Sequence, residues 1–277
     1  MDLYCVMGNP VAHSRSPWIH ARFAELTGQP LRYERQLAPL DGFAATVQAF
    51  RAGGGRGCNV TVPFKHEAAA LATWQSPGVA LAGAANTLQF DGEDIRAYNT
   101  DGPGLVADIT RNAGVELAGR DLLLIGAGGA AAGVLGPLVE AGCAAVTVAN
   151  RTPAKALDLV RRHAAWADRH GCALAATGLA DAGEAYDVVL NSSASSLAGA
   201  AVPVPASVLK PGALAVDLMY GAAAQPFLDW AAAHGAVGRA GLGMLVEQAA
   251  GAFQLWRGIL PDTPPVLAAL RARLAAK

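Results

Sequence analysis

Asp121-Leu122-Leu123-Leu124-Ile125-Gly126-Ala127-Gly128-Gly129-Ala130-Ala131-Ala132-Gly133 is the stretch around which the rest of the chain is read. A short apolar run enters a glycine-rich turn and leaves in an alanine-rich segment, the pattern of strand, tight turn and helix. Gly126-x-Gly128-x-x-Ala131 is the Ala-ended form of the dinucleotide fingerprint. The first glycine allows the turn, the second lets the backbone approach a pyrophosphate, and the small third residue lets helix and strand pack closely. The start of the helix then offers unpaired N–H groups to the phosphates.

Working outward, a second apolar run, Ala145 to Ala149, ends at Asn150-Arg151-Thr152, where the residue that reads the adenosine ribose should fall. An NAD site would place a carboxylate there for the ribose 2′-hydroxyl. This chain has Arg151 instead, with Lys155 one helical turn further on. A guanidinium pairs with a 2′-phosphate that a carboxylate would repel, so the expected cofactor is NADP.

At 277 residues the chain can hold one large domain or two of ordinary size. Hydrophobic residues make up 53% and charged ones 16%, which excludes a disordered chain. A net charge of −1 argues against nucleic acid as a partner. Leu122 to Val139 carries no charge, but its glycines and Pro137 read as strand, turn and helix, so no membrane span is expected. Cys5, Cys58, Cys143 and Cys172 are widely spaced and the histidines scattered; neither set suggests a metal site, and idle thiols fit a cytoplasmic protein without a signal peptide.

Before the dinucleotide unit, Leu3 to Gly8, Leu31 to Leu37 and Gly57 to Val62 read as strands alternating with helices, an α/β layer with parallel pairing. Ser16 and Pro17 read as the N-cap and first residue of a helix, and the Ser14 and Ser16 hydroxyls there would suit a carboxylate. On the third strand Asn59 and Thr61 share a face, and Lys65 falls just beyond its carboxyl end, where α/β sheets place ligands. A helix is expected near His66 to Trp74. Thr87 to Phe90 and Ile95 to Tyr98 flank the turn signal Asp91-Gly92, a hairpin, and Asn99-Thr100-Asp101-Gly102 opens a helix running to about Ala113. Beyond the fingerprint, further strands are expected near 172–176, 187–191 and 213–217, with polar residues at their carboxyl ends.

These pieces together resemble the shikimate dehydrogenase family, nearly end to end. The resemblance rests on Gly8-Asn9-Pro10-Val11-x-His13-Ser14-x-Ser16-Pro17-x-Ile19-His20, Asn59-Val60-Thr61-Val62-Pro63-x-Lys65, Ala85-Asn86-Thr87-Leu88 and Asn99-Thr100-Asp101-Gly102. It continues through the glycine turn, Asn150-Arg151-Thr152-x-x-Lys155, Asp217-Leu218-Met219-Tyr220 and Gly241-x-Gly243-Met244-Leu245-x-x-Gln248. It implies reversible, NADPH-dependent reduction of 3-dehydroshikimate to shikimate, on the route to aromatic amino acids. It implies an α/β fold of two domains: residues 1–101 plus 238–277 binding the substrate, and 102–237 a Rossmann-type domain binding NADP, in a monomer or homodimer. Carried over by position, Ser14 and Ser16 bind the substrate carboxylate, while Asn59, Thr61, Asn86, Asp101, Tyr220 and Gln248 bind its hydroxyls. Lys65 and Asp101 are the implied catalytic pair. Gly126, Ala127, Gly128, Gly129, Ala130, Asn150, Arg151, Thr152, Lys155, Asn191, Met219 and Gly243 are the implied cofactor contacts.

Three departures from the family pattern fall on the cofactor side. Ala131-Ala132 stand where Ser or Arg is common, Asn191-Ser192-Ser193-Ala194-Ser195-Ser196 replaces Asn-Ala-Thr-Ser-x-Gly, and Gln225-Pro226 replaces Thr-Pro. Asn150-Arg151-Thr152 argues against an NAD-using quinate/shikimate dehydrogenase. Retention of Lys65 and Asp101 argues against a catalytically idle NADP-binding regulator.

Overall fold

A computed structural model describes residues 1–193 and 202–275. Each of its two compact units carries a six-stranded sheet. The first unit runs from Met1 to Gly104 and resumes at Leu245; the second is Leu105–Met244.

In the first unit the strands are β1 (Asp2–Gly8), β2 (Leu31–Leu37), β3 (Gly55–Val60), β4 (Trp74–Gln75), β5 (Thr87–Asp91) and β6 (Asp94–Tyr98), in the order β2-β1-β3-β5-β6-β4. β1 pairs with β2 and β3 in parallel, as the alternation with helices requires. β5 and β6 form the antiparallel hairpin signalled by Asp91-Gly92, with Gly92 at φ +56°. The helices are α1 (Ser16–Thr27), α2 (Phe43–Ala52), α3 (Lys65–Leu71), α4 (Pro77–Ala82) and α5 (Asp101–Ala107). Met7, Phe43, Val47, Val60, Phe64, Leu88 and Ile95 form its core.

Some local expectations shift. Ser16 is not the N-cap of α1: the helix begins at Ser16 itself, and the Ser14 hydroxyl accepts from the Ser16 N–H at 3.3 Å. The helix after Lys65 stops at Leu71, because Trp74 and Gln75 join β6 as an edge strand. α4 lies outside the sequence-based expectations, although Ser76 capping Val79 N–H, Pro77 in the first turn and Gly83 at φ +62° carry its signals. α5 continues after Ala107 as a π-helical turn, Asp108–Asn112.

The second unit contains β7 (Asp121–Ile125), α6 (Gly129–Glu140), β8 (Ala145–Ala149), α7 (Pro153–His170), β9 (Ala173–Thr177), β10 (Tyr186–Asn191), β11 (Leu209–Asp217), α8 (Gln225–Ala233) and β12 (Val237–Ala240). All pairings in its sheet, ordered β12-β11-β10-β7-β8-β9, are parallel. The fingerprint therefore opens a doubly wound unit, and its glycine turn lies at the carboxyl end of a central strand. Leu122 to Val139 is strand, turn and helix, and no helix among the described residues is long and apolar enough to cross a membrane. α8 and β12 are additions to the expected elements. Because β12 pairs with β11, residues 238–244 stay with the second unit and the return comes at Leu245, later than position 238. The helices α9 (Leu242–Arg257) and α10 (Pro264–Ala275) end the described chain, Trp256 of α9 donating from its indole N–H to the Leu88 carbonyl at 3.1 Å.

Candidate active site

Lys65 is the first residue of α3, a short turn beyond β3, and Asp101 is the first residue of α5. Their side chains meet: Lys65 Nζ lies 2.6 Å from Asp101 Oδ2, with side-chain exposures of 13% and 9%. The pair is sheltered yet reachable. Asn86, immediately before β5, is buried and donates from Nδ2 to Asp101 Oδ1 (3.0 Å), Thr100 Oγ1 (2.9 Å) and Gln248 Oε1 (3.2 Å). Its Oδ1 accepts from the Thr100 N–H at 2.8 Å and the Thr87 hydroxyl at 2.9 Å. Asn59 Nδ2 donates to Thr87 Oγ1 (2.9 Å) and to the Asn86 carbonyl (3.3 Å), and its Oδ1 accepts from the Tyr33 hydroxyl (2.7 Å). Two backbone N–H groups brace the cluster: that of Ala85 donates to the Lys65 carbonyl (2.8 Å) and that of Asp101 to the side-chain Oδ1 of Asn99 (3.1 Å).

Ser14 and Ser16 stand side by side, Oγ to Oγ 3.2 Å, while Arg35 holds the Ser14 carbonyl through Nε (3.0 Å) and Nη2 (2.6 Å). Thr61 follows β3, tied by its N–H to the Met7 carbonyl at 2.9 Å. Its methyl group leaves no room above Gly8, where a Cβ would fall 2.3 Å from Cγ2. Gln248 lies in the second turn of α9, and Gly104 lies so close beneath it that a Cβ there would sit 2.7 Å from the Gln248 nitrogen. Tyr220 belongs to the second unit, just after β11.

Three members of the cluster, Tyr33, Thr87 and Thr100, are not among the residues that the sequence assigns to the site. Tyr33 sits on an edge strand whose polar and charged neighbours, Arg32 and Glu34, hide any single functional residue. Burial raises its phenol pKa well above the ordinary value, the Cys5 and Cys58 thiols add to this, and the Ser16 side chain opposes it. Its hydroxyl thus adjoins both Ser16 and Asn59. Behind it, His20 is fully buried and stacks on the Tyr33 ring (4.2 Å between centroids, 7° between planes). Burial lowers the His20 pKa to about 3, the Asn59 side chain opposing it, and neither ring nitrogen has a hydrogen-bond partner among the described residues.

In the second unit, Gly126 follows β7 at φ +110°, with Ser192 Oγ 2.6 Å from where a Cβ would stand. Gly128 is the N-cap of α6 without any side-chain cap, and nothing lies within 4 Å of its missing Cβ. Ala131 is fully buried, which is the close helix–strand packing the third position of the fingerprint serves. At the end of β8, Arg151 and Lys155 are exposed and make no ion pair or hydrogen bond with another side chain among the described residues, while Asn150 Nδ2 donates to the Thr152 carbonyl at 2.9 Å. Asn191 ends β10, and Met219 lies two residues past β11. Gly243 backs onto a fully buried carboxylate: a Cβ there would lie 1.7 Å from Asp108 Oδ1. Asp108 is gripped by Arg239 through Nε (2.8 Å) and Nη2 (2.5 Å) and accepts from Asn112 Nδ2 (3.0 Å).

Comparison with known proteins adds an independent finding. Residues 6–88 match the model of the shikimate dehydrogenase substrate binding domain, 108–201 that of shikimate / quinate 5-dehydrogenase, and 241–271 that of the shikimate 5′-dehydrogenase C-terminal domain. A shikimate dehydrogenase (NADP(+)) from Acidovorax sp. (strain JS42) is 67% identical over 275 residues, covering 99% of this chain and 98% of the relative. The chain belongs to the shikimate dehydrogenase family. Among solved structures, an Ael1 enzyme from Pseudomonas putida is similar at 43% identity and a TM-score of 0.87, covering 98% of both chains. Shikimate 5-dehydrogenase from Thermus thermophilus, in complex with NADP(H) and shikimate, is similar at 33% identity and a TM-score of 0.80, covering 98% of this chain and 99% of that one.

The second unit fits the cofactor that family implies. An uncapped helix start, an open face at Gly128 and two unengaged cations at the end of β8 are complementary to a pyrophosphate and a 2′-phosphate. Ala131-Ala132 and Gln225-Pro226 lie in α6 and α8; of the third departure, Ala194, Ser195 and Ser196 lie outside the described residues. Among those described, no cluster of His, Cys, Asp and Glu could hold a metal ion, and all four cysteines are free and buried.

Proposed function

We propose that the chain is an NADP-dependent shikimate dehydrogenase that reversibly reduces 3-dehydroshikimate to shikimate in a reducing, cytoplasmic compartment. The observation that carries this reading is the Lys65–Asp101 pair, 2.6 Å apart inside a cluster of amide and hydroxyl groups suited to a polyhydroxylated acid.

When bound, the nicotinamide supplies the hydride. The protein's own work is then to manage the oxygen, on which negative charge grows. The Lys65 ammonium stabilises that charge and delivers the proton. Asp101 orients Lys65 through Oδ2 and, with Asn86 on Oδ1, fixes one side of the ring's hydroxyl site. Asn59, Thr61, Asn86, Asp101 and Gln248 take the substrate hydroxyls, with Tyr33 orienting Asn59. Ser14 and Ser16 take the carboxylate. For the cofactor, residues 126–130 face the pyrophosphate, Asn150, Arg151, Thr152 and Lys155 face the adenosine end, and Asn191, Met219 and Gly243 face the nicotinamide end. The first unit is thus assigned to substrate and the second to NADP.

The test is reduction of NADP, followed by the absorbance of the reduced nicotinamide, with shikimate and quinate in parallel and NAD as the alternative oxidant. Turnover of shikimate with NADP, and far less with quinate or NAD, is the expected result. No turnover of either acid with either dinucleotide would overturn the proposal.

A further inference from the structure

A buried carboxylate that neither the fingerprint nor the catalytic pair uses lies beneath the proposed nicotinamide end. Asp217, the last residue of β11, is fully buried. Its Oδ2 accepts from Asn191 Nδ2 at 2.9 Å and its Oδ1 from the Met219 N–H at 2.8 Å. Both partners reach onward. Asn191 Oδ1 accepts from the Ser193 N–H (3.1 Å) and hydroxyl (2.7 Å), and the Met219 carbonyl accepts from the Gly241 N–H (2.8 Å), two residues before Gly243. Alongside, Ser192 binds the Ile125 carbonyl with both its hydroxyl (2.7 Å) and its N–H (2.9 Å), pressing on Gly126. The carboxyl ends of β7, β10 and β11, neighbours in the sheet, are therefore laced together crosswise beyond their ladders.

We propose that Asp217 is a positioning residue for the dinucleotide, acting through Asn191 and Met219, and that Ser192 extends the same belt to the glycine turn. The inference rests on the assignment of Asn191, Met219 and Gly243 to the cofactor. The Asn191 amide and the Met219 N–H engage one oxygen each, so the side chain must offer both as acceptors. An amide offers one and brings an N–H₂ that faces either Asn191 Nδ2 or the Met219 N–H, donor against donor. Buried donors left without acceptors pull the groups around them out of place.

The experiment measures the NADPH dissociation constant by nucleotide fluorescence, with the shikimate KM and the thermal midpoint alongside. Asp217→Asn is expected to weaken NADPH binding about tenfold, the effect of roughly 1.4 kcal/mol, with the shikimate KM within about twofold of wild type. Ser192→Ala should cost about two- to threefold. Unchanged NADPH binding in Asp217→Asn, beside a wild type that binds normally, overturns the positioning role and leaves the proposed function intact. So does a loss of NADPH binding matched by an equal rise in the shikimate KM and a fall in the thermal midpoint. A wild type that binds no NADPH overturns the proposed function instead.

Discussion

The polar side chains of the first unit's cluster bond chiefly to one another, whereas the floor of the second unit leaves its most useful groups unengaged. Asn59, Asn86, Thr87, Thr100, Asp101 and Gln248 form one connected network, so each amide has a fixed orientation before any ligand arrives. Arg151, Lys155 and the first N–H groups of α6 have no such partners among side chains of the described residues. The difference follows from what each must read. A small ring with several hydroxyls is distinguished only by donors and acceptors held at set angles, and preorganisation lowers the cost of binding it. A dinucleotide presents phosphates, which backbone dipoles and mobile cations recognise without that precision. Substitutions should therefore act sharply and chemically on the first site, and gradually and electrostatically on the second.

The largest effect expected from that contrast is at Lys65. A positioned proton donor contributes about 10²–10⁴-fold, so Lys65→Ala should lower kcat by that factor with a much smaller change in KM. Steady-state kinetics with shikimate and NADP check it; turnover within threefold of wild type would reduce Lys65 to scaffolding.

Next in size is Arg239. Asp108 is fully buried and its charge is met by the Arg239 guanidinium, so Arg239→Ala strands a carboxylate in the interior. Breaking one side of such a pair costs about 3–5 kcal/mol. Urea unfolding should show a loss of that order, while Arg239→Lys should retain part of it because the charge remains and the fork geometry is lost. A change below about 1 kcal/mol for Arg239→Ala would mean that water reaches Asp108, contrary to its burial.

At the cofactor floor the expected effect is smaller. Losing one charge-assisted bond costs about 1.5–3 kcal/mol, so Arg151→Ala should raise the NADP KM at least about tenfold and leave that for NAD nearly unchanged. Equal losses for the two dinucleotides would remove Arg151 from the 2′-phosphate, and with it the electrostatic half of the contrast.

The same contrast explains what the sequence disclosed. The Gly126, Gly128 and Ala131 spacing is local, and its requirements are steric, so strand, turn and helix are legible in a dozen residues. Lys65 and Asp101 each have an ordinary local explanation, a solvated lysine and a helix cap. Their meeting depends on a sheet that brings together residues 36 apart. Arg239 finds Asp108 across 131 positions and Asp217 holds Asn191 across 26; neither pairing has a local signature. Tyr33 is hidden in a strand of mixed polarity, and β12 is too short and too exposed to show an apolar period.

The smallest effect tests how rigid the first cluster is beneath its visible layer. His20 carries two ring nitrogens without partners among the described residues, stacked under Tyr33, and its pKa of about 3 lies below the roughly 6.5 of an unfolded histidine. Between those values the unfolded chain binds a proton that the folded chain refuses. Stability must therefore fall as pH is lowered through that window, by about 1.4 kcal/mol per unit from this group alone. His163, also shifted down by burial, titrates in the same direction, so the informative quantity is the difference between wild type and His20→Phe, which keeps the stacked ring and removes the titration. Urea unfolding at pH 7 and pH 5.5 should show that difference widening by about 1.4 kcal/mol in favour of the variant. A difference that stays constant would mean the imidazole is protonated inside the fold, and the Tyr33–Asn59 contact would then rest on a charge rather than on a neutral stacked ring.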